Sequence, residues 1–395
     1  MENKKYSILI ICIYGAPGHT ERFVNNLKQT NPNASISLYS DRDKEAYSTE
    51  MLNCIDEYFQ REKYLGWPYR IGRFRKNFDH YAFVRQFRRL SKTHHYNIIN
   101  IHYPQYILSD VIRYLKRMSD SIVVTPWGSD VLRLEDPQKK KKLTCLFTKV
   151  DYITTRPSGS IGKVVCQEMK VDPSKFHPLV WGSDTIDYIN DHIAEVSHDA
   201  AKERLGLKGK YLITCGYNAY KEQQHEIIID AIKRKKDELP DNITLLFPVT
   251  YGNVTVAQRQ EYVARLKSLC EDLHLPTIFY ENYMSVSQLF LIRRATNMFI
   301  HIQTTDAGNS SLQEYVLCGA KIVHGSWIHY DTLEKYSPLF YFPVSELDDL
   351  GNVIVDAFNS DPIHTPIQVI ETIRNRGWRA CMKLWNDFFV SSVND

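Results

Sequence analysis

The sequence predicts an α/β protein built from two doubly wound halves, each a parallel sheet covered by helices on both faces. Short apolar segments rich in β-branched residues alternate with longer segments of helical periodicity along most of the chain. Such alternation predicts parallel strands joined by crossover helices. The length of 395 residues favours two domains of roughly 150–200 residues each. A polar stretch near residues 185–197 lies between two alternating series and is the predicted linker.

The first series starts with an apolar run at Ser7–Ile13, which predicts a buried strand. A signal peptide is not predicted, because the run leads into a glycine-bearing turn and a helical pattern instead of a cleavage site. Four more strand-length runs and three segments with helical spacing follow. The predicted strands are Tyr6–Ile13, Ser35–Tyr39, Asn97–Ile101, Ser121–Thr125 and Val150–Thr154, and the predicted helices are Thr20–Gln29, Ser109–Met118 and Ile161–Met169.

The second series repeats the pattern after the linker. Its apolar runs predict strands, and the polar-faced segments between them predict helices. The strands are Tyr211–Cys215, Ile243–Pro248, Thr277–Tyr280, Met298–Ile302 and Lys321–Val323, and the helices are Glu222–Lys233, Ala257–Leu273, Ser287–Ala295 and a short one that ends at Gly319. A final helical pattern covers Ile367–Phe389.

Composition narrows the class of protein. The net charge of +3 gives no global case for nucleic-acid binding. The eight cysteines are scattered and form no C-x-x-C pair, which favours reduced thiols in the cytoplasm over a zinc site or a disulfide framework. No run approaches the roughly 18 apolar residues of a membrane span. We therefore expect a cytoplasmic protein, soluble or peripheral on the inner face of the membrane.

The most informative segment is the polar loop Thr304–Glu314, which follows a predicted strand and leads into a short helix. Open α/β folds bind ligands at this carboxyl edge of the sheet. The loop carries two carboxylates, Asp306 and Glu314, with seven residues between them. The small polar residues before the helix offer unpaired N–H groups that favour phosphate. Carboxylates can accept hydrogen bonds from ribose hydroxyls, and the helix N-terminus next to them can bind an anion. Together these features predict a nucleotide-sugar site.

The same residues have plainer interpretations that stay open at this point. Ser311 and Glu314 have the spacing of a capping box, in which the glutamate only closes a helix end. Asp306 is equally compatible with a turn residue beside Gly308.

Several motifs in order along the chain resemble one enzyme family. They are Gly15–Gly18, Thr125–Asp130, Phe176–Asp184, Gly216–Asn218, the Asp306/Glu314 pair and the turn Leu317–Gly319. On these motifs the chain resembles the GT-B glycosyltransferases and is most similar to glycosyltransferase family 4. The resemblance spans most of residues 6–325.

The resemblance implies two Rossmann-like domains facing an interdomain cleft. Residues 1–190 would bind the acceptor, residues 191–365 would bind the nucleotide sugar, and a C-terminal helix in residues 366–395 would return to the first domain. It also implies transfer from a nucleoside diphosphate sugar, as co-substrate, to a saccharide or polyprenyl-linked acceptor in bacterial surface-glycan synthesis. The transfer would be retaining, with no cofactor, and would need no metal because helix dipoles stabilise the diphosphate.

The resemblance also assigns site residues. Asp306 and Asp130 would be catalytic, although Asp130 is equally compatible with an N-cap. Gly15 and Gly18 would form an acceptor or phosphate loop. The donor-binding residues would be Glu314, Asn309, Ser310, Ser311, Gly216, Asn218, Lys221, Tyr251 and Asn282.

Departures from the family pattern keep other functions open. Asn218 and Gln223 stand near the family's usual Arg and Lys, and Lys221 is displaced by about two places. The loop Tyr217–His225 that contains these residues, together with Pro248–Gly252, is reminiscent of the inverting Fuc4NAc lipid transferases. The alternatives are an inverting GT-B transferase, a nucleotide-sugar epimerase and an inactive GT-B scaffold.

A basic and aromatic segment between Arg61 and Lys92 predicts a peripheral contact with an anionic membrane. Cations outnumber carboxylates here, and Phe83, Phe87 and Leu90 share one face of a predicted helix. An ordinary docked helix with solvated cations is the plainer alternative. Nucleic-acid binding is not predicted, although it would use the same cations.

Overall fold

The computed structural model describes residues 5–63, 75–252, 255–305, 310–328, 340–361 and 365–393. The chain forms two compact units. Unit 1 is Met1–Trp181 together with Arg379–Asp395, and unit 2 is Gly182–Trp378. The boundary predicted at residue 190 falls inside a helix of unit 2, since Asp184–His192 and His198–Arg204 are helical where the sequence predicted a linker.

Unit 1 contains a six-stranded parallel sheet in the order β3-β2-β1-β4-β5-β6. The central strand β1 is buried from Ile8 to Cys12 because helices cover both faces of the sheet. The strands are β1 (Ser7–Cys12), β2 (Ser35–Ser40), β3 (Glu57–Gln60), β4 (Tyr96–His102), β5 (Ser119–Thr125) and β6 (Tyr152–Ile153).

The first helix of unit 1 is longer than the predicted Thr20–Gln29, whereas the two other predicted helices are interrupted. The helices of unit 1 are α1 (Pro17–Thr30), α2 (Thr49–Asn53), α3 (Arg75–Leu90), α4 (Ile112–Leu115), α5 (Ser129–Leu132), α6 (Pro137–Lys149) and α7 (Ser160–Lys163). The helix predicted at Ser109–Met118 is a 3₁₀ turn followed by α4, and α7 continues as a π-helical turn at Val164–Glu168.

Unit 2 repeats the topology of unit 1. Its parallel sheet has the order β12-β11-β10-β7-β8-β9. The neighbours β7 and β10 therefore lie at the centre of the sheet, and successive strands are added outward from each of them. The strands are β7 (Tyr211–Cys215), β8 (Ile243–Pro248), β9 (Thr277–Tyr280), β10 (Met298–His301), β11 (Lys321–Gly325) and β12 (Tyr341–Val344). Two apolar clusters, one around Ile213 and Phe247 and one around Phe299 and Tyr315, form its core.

The helices of unit 2 follow the strands. They are α8 (Asp184–His192), α9 (His198–Arg204), α10 (His225–Arg234), α11 (Val256–Glu271), α12 (Val286–Ala295), α13 (Ser310–Cys318), α14 (Leu350–Asn359) and α15 (Ile367–Arg374).

The predicted C-terminal helix is two helices, α15 and α16 (Trp378–Ser391). The break includes Gly377, where an added Cβ would lie 2.1 Å from Oδ1 of Asp187. The part of α16 after Trp378 belongs to unit 1. There Trp385 donates its indole N–H to the Val180 carbonyl at 2.9 Å and packs edge-on against Phe23.

All eight cysteines are free thiols. A search of the described helices finds none long and apolar enough to cross a membrane.

Candidate functional site

Most of the predicted donor residues that the structure describes lie in unit 2 at one edge of the sheet. They follow β7, β8, β9 and β10, and parallel strands bring their carboxyl ends to the same edge. Gly216, directly after β7, has φ +63° and donates its amide to the Ile300 carbonyl of β10 at 3.0 Å. Its backbone favours glycine, because an added Cβ would lie 2.7 Å from Nε2 of His225.

The loops after β7 and β10 are joined through Gln303. Oε1 of Gln303 accepts hydrogen bonds from Nε2 of Gln223 at 2.8 Å and from the Tyr217 hydroxyl at 2.9 Å. The Thr304 amide also donates to the Glu222 carbonyl at 3.0 Å. Gln223, which stands near the family's phosphate-binding cation, is therefore a buried structural amide here. The sequence offered no signal for Gln303 beyond its position after a strand.

The loops after β7 and β8 are held against each other by their backbones. The Ala219 amide donates to the Tyr251 carbonyl at 2.6 Å. Gly252 has φ +138°, and an added Cβ would lie 2.6 Å from backbone atoms of Ala219 and Tyr220. Only glycine lets the two loops approach this closely.

Asn218 and Lys221 have different roles in this loop. Asn218 is buried, and its Oδ1 accepts the Tyr220 amide at 2.9 Å, which shapes the turn. Lys221 is exposed at the start of a short 3₁₀ turn. Its carbonyl accepts the Gln224 amide at 3.0 Å, but among the described residues its ammonium group has no hydrogen-bond or ion-pair partner, so its charge is available to a ligand.

The loop after β9 continues the same edge. Asn282 is exposed there, and Tyr251 exposes 53% of its surface. The Arg259 guanidinium donates to the Thr250 carbonyl and, at 3.4 Å, to the Glu281 carbonyl, so it ties the loops after β8 and β9 together.

Glu314 is buried in the second turn of α13 and has a partner for each oxygen. Oε1 accepts a hydrogen bond from the Ser183 hydroxyl at 3.0 Å, and Oε2 accepts one from Nε of Arg293 at 3.0 Å. Burial opposes the charge of Arg293, but the neighbouring Tyr315 hydroxyl and Glu314 carboxylate raise its pKa. Neither Arg293 nor Ser183 was predicted as a partner of Glu314, because both are far from it along the chain.

The capping-box interpretation of Glu314 is wrong. Ser310 and Ser311 are the first two residues of α13, so Ser311 is inside the helix and not at its N-cap. The Ser311 hydroxyl instead lies 3.4 Å from Nη2 of Arg293. The predicted residues Asp306 and Asn309 lie outside the described residues.

An open pocket of about 880 Å³ borders these loops on the side of α10 and α11. Three carboxylates and two cations line it, and one of those cations, Arg265, is paired with Glu226 at 2.7 Å. Its excess of carboxylates makes it unfavourable for a diphosphate. The lining residues are Lys221, Glu222, Gln224, Glu226, Ile227, Gln258, Glu261, Tyr262, Arg265 and Thr304.

The predicted glycines of unit 1 differ in what they do. Gly15 is required by packing, because an added Cβ would lie 2.5 Å from Sγ of Cys12 and 3.1 Å from the ring of Trp127. Gly18 has no heavy atom within 4 Å of an added Cβ. It lies in the first turn of α1, which follows Ala16 and has no side-chain cap.

Asp130 is a buried carboxyl turned back on its own loop. Its Oδ1 accepts the Gly128 amide at 2.7 Å and the Trp127 amide at 3.1 Å. Burial raises its pKa to about 7, although the backbone N–H groups act in the opposite direction. The N-cap alternative is wrong, because Gly128 is the N-cap of α5 and Asp130 lies within the helix.

The basic segment is a docked helix where it is described. Phe83, Phe87 and Leu90 of α3 are buried in the core of unit 1. Arg61 donates to the Tyr14 hydroxyl at 2.8 Å, and Arg89 pairs with Glu62. The apolar face predicted to meet a bilayer is therefore occupied. The exposed cations of the described segment are Lys63, Lys76, Arg85, Arg88, Arg89 and Lys92, while residues 64–74 lie outside the described ranges.

Among the described residues, no group of three or more His, Cys, Asp or Glu side chains is arranged to hold a metal ion.

No family model matches the sequence, and no curated protein matches it. Solved structures match along the whole chain. A glycosyltransferase from Rickettsia africae has a TM-score of 0.68 at 11% identity, over 99% of this chain and 100% of that one. HepE from Anabaena, in complex with UDP-glucose, has a TM-score of 0.63 at 14% identity, over 98% of this chain and 99% of that one.

A third match is the lipopolysaccharide outer core galactosyltransferase WaaB in its apo form. Its TM-score is 0.63 at 13% identity, and 98% of this chain and 99% of that one are covered. These likenesses, together with the two parallel six-stranded sheets, establish that the chain has the GT-B fold. The predicted fold class is thereby confirmed.

Proposed function

We propose that this protein is a glycosyltransferase that moves a sugar from a nucleoside diphosphate sugar to a saccharide or lipid-linked saccharide. The observation that carries the proposal is the full-length likeness to GT-B structures, one of which was solved with UDP-glucose. The likeness to WaaB, a lipopolysaccharide outer core galactosyltransferase, supports bacterial surface-glycan synthesis as the pathway.

The donor site we propose is the edge of unit 2 formed by the loops after β7, β8, β9 and β10. Hydrogen bonds join these loops, so the backbone at this edge is organised before a ligand binds. Lys221 supplies an unpaired cation, and the first N–H groups of α13 supply further donors for a diphosphate. Tyr251 and Asn282 are exposed where a nucleoside would extend.

Glu314 has a specific place in this proposal. Its carboxylate is held by Arg293 and Ser183, so its position is fixed before any donor arrives. Each carboxylate oxygen has more than one lone pair, and these can still accept a ribose hydroxyl. Arg293 and Ser183 are thus positioning residues for Glu314.

We propose Asp130 of unit 1 and Asp306 of unit 2 as catalytic residues and the unit 1 loop at Gly15–Gly18 as the acceptor or phosphate loop. A carboxyl with a pKa of about 7 is poised to accept or donate a proton at neutral pH. We further propose retention of anomeric configuration and independence from metal. NMR of the first-formed product gives the stereochemistry, and loss of activity in chelator that manganese restores would contradict the metal assignment.

Calorimetric titration with UDP, GDP, dTDP, CDP and ADP tests the donor site. We expect one nucleotide to bind wild type and to bind Lys221→Met about tenfold more weakly, because a charge-assisted phosphate contact is lost. Lys208→Met, an exposed lysine of the same unit, is the matched control. If no nucleotide binds at millimolar concentration, the transferase proposal fails and an inactive GT-B scaffold is favoured.

A further inference from the structure

Three neighbouring strands of unit 1 end in residues with left-handed backbone. Tyr14 follows β1 with φ +62°, Tyr103 follows β4 with φ +52°, and Gly128 follows β5 with φ +120°. These strands are adjacent in the sheet. The conformation is uncommon for a bulky residue, and strain of this kind clusters at ligand sites.

Aromatic rings converge at the same edge. The Trp127 ring centre lies 5.0 Å from that of His19, 5.6 Å from that of Tyr103 and 5.4 Å from that of Trp181. We call these four residues the aromatic platform. None of the four is fully buried, so part of each ring remains open to a ligand.

A fixed second layer holds the platform in place. Phe23 is fully buried and stacks on Trp181 with ring centres 5.2 Å apart and planes at 18°. His102 is also fully buried and meets Trp181 edge-on at 5.2 Å. Burial lowers the pKa of His102 to about 3, so this imidazole carries no charge at neutral pH.

Polar groups lie at the rim of the aromatic platform. The Trp127 indole N–H is buried and finds no acceptor among the described residues. The hydroxyls of Tyr103 and Ser129 lie 3.2 Å apart.

We propose that the aromatic platform of unit 1 binds the acceptor through the apolar face of a pyranose ring. This inference rests on the proposed function and specifies its acceptor as a pyranoside. One face of a pyranose presents C–H groups of positive partial charge, which suit the negative face of an aromatic ring. The sugar's hydroxyls then meet the exposed hydroxyls of Tyr103 and Ser129.

The alternatives suit the platform less well. A phosphate headgroup would meet uncharged imidazoles at His19 and His102, whose pKa values burial lowers to about 4 and about 3, and Arg22 is the cation that acts on His19. A nucleobase could stack on the rings, so it is an outcome that the experiment must separate from a sugar.

Fluorine NMR on protein labelled with 5-fluorotryptophan tests the proposal directly. The chain has six tryptophans, and Trp127→Phe and Trp181→Phe assign the two platform signals. The probes are the methyl glycosides of glucose, galactose and N-acetylglucosamine. Sorbitol, which has hydroxyls but no ring face, and uridine, which offers a base, are the control ligands.

We expect at least one glycoside to shift the Trp127 and Trp181 signals saturably while the Trp327 signal of unit 2 stays unchanged. Ser129→Ala should weaken that response several-fold, and Trp127→Phe should weaken the response of Trp181 by about tenfold, or 1.4 kcal/mol. Urea denaturation of both variants, compared with wild type, separates weaker binding from loss of folding, because Trp127 also packs on the buried His102 with ring centres 6.1 Å apart.

Three results would overturn the proposal: no saturable shift with any glycoside, an equal shift with sorbitol, or a shift with uridine alone. Nucleotide calorimetry separates this failure from failure of the proposed function. Nucleotide binding without a platform response removes the pyranoside assignment and leaves the transferase. A platform response without nucleotide binding keeps a sugar site and removes the transferase.

Discussion

Arg293 and Glu314 form an ion pair inside unit 2, with Nε of the arginine 3.0 Å from Oε2 of the glutamate and only 5% and 4% of the two side chains exposed. The Arg293 guanidinium also lies 4.8 Å from the centre of the Tyr315 ring. A pair this buried is strongly coupled to folding, because either charge alone in the interior is unfavourable. Glu314 therefore has a structural role whatever it binds.

The first prediction separates the structural role of Glu314 from its proposed role in binding the nucleotide sugar. Glu314→Ala should lower the free energy of unfolding by about 3–5 kcal/mol, because it leaves Arg293 charged, buried and unpaired. Urea denaturation measures the loss. The double variant Arg293→Met/Glu314→Leu should recover most of it, since an apolar pair of similar volume replaces two buried charges.

Equal stability of Glu314→Ala and wild type would show that the pair contributes nothing. Because loss of the ion pair affects folding, nucleotide binding should be measured on Glu314→Gln, whose side-chain oxygen can still accept a hydrogen bond from the Ser183 hydroxyl. A binding defect in the alanine variant alone would report lost folding and not a lost ligand contact.

The second prediction concerns Gly252, where the loops after β7 and β8 meet. Gly252→Ala should destabilise unit 2 and weaken nucleotide binding, because the new Cβ would lie 2.6 Å from the backbone of Ala219 and Tyr220. The cost should exceed the roughly 1–2 kcal/mol of left-handed backbone alone. Thermal unfolding and calorimetry measure the two effects.

Gly206→Ala is a matched control for this substitution. Gly206 has φ +72° in the same unit, but no heavy atom lies within 4 Å of an added Cβ. It should therefore show only the backbone cost and normal nucleotide affinity. If the two variants behave alike, the close approach of the two loops has no consequence.

The third prediction follows from the buried carboxyl of Asp130. Its pKa of about 7 in the folded protein lies above the ordinary value of 3.8. Between these values the folded state holds a proton that the unfolded state has lost, so this group's contribution to stability falls as the pH rises through 7.

Asp130→Asn removes this titration while keeping an oxygen to accept the Gly128 amide. Its free energy of unfolding relative to wild type should therefore rise between pH 4 and pH 8, by at most about 4 kcal/mol. Urea denaturation at several pH values measures the difference. A difference that does not change with pH would mean that the carboxyl is not perturbed.

Local pattern predicted most strands of unit 2 well and two of the edge strands not at all. Tyr211–Cys215, Ile243–Pro248 and Thr277–Tyr280 are confirmed at both ends. The first two are continuous apolar runs of buried parallel strands, and the third is a half-buried edge strand bounded by clear turn residues. The edge strands β3 and β12 were missed. Glu57 and Gln60 of β3 are exposed, and β12 contains Pro343, so neither has the pattern of a buried strand.

The candidate site was predictable in its position and not in its internal contacts. Loops after parallel strands must meet at one edge, which places Gly216, Lys221 and Tyr251 near one another without any structure. The partners of Glu314 could not be predicted, because Ser183 is 131 residues and Arg293 is 21 residues away in sequence. No local pattern encodes a contact over such a separation.

The last prediction concerns the membrane contact predicted for the segment Arg61–Lys92, which includes α3. The apolar face of α3 is buried in the core of unit 1, and the exposed surface of the described segment carries several cations beside the exposed Tyr81. Binding to vesicles that contain phosphatidylglycerol should therefore be electrostatic and decline steeply with salt, since the screening length shortens. Substitution of Arg85, Arg88 and Lys92 by Gln should weaken the binding free energy by about 1 kcal/mol for each cation.

Co-sedimentation with the vesicles measures this binding, with Lys208→Gln/Lys233→Gln in unit 2 as the control. Binding that persists in high salt or on phosphatidylcholine alone would contradict an electrostatic contact and indicate apolar insertion, for which Tyr81 is an exposed aromatic side chain of α3, whereas Phe83 and Phe87 are buried.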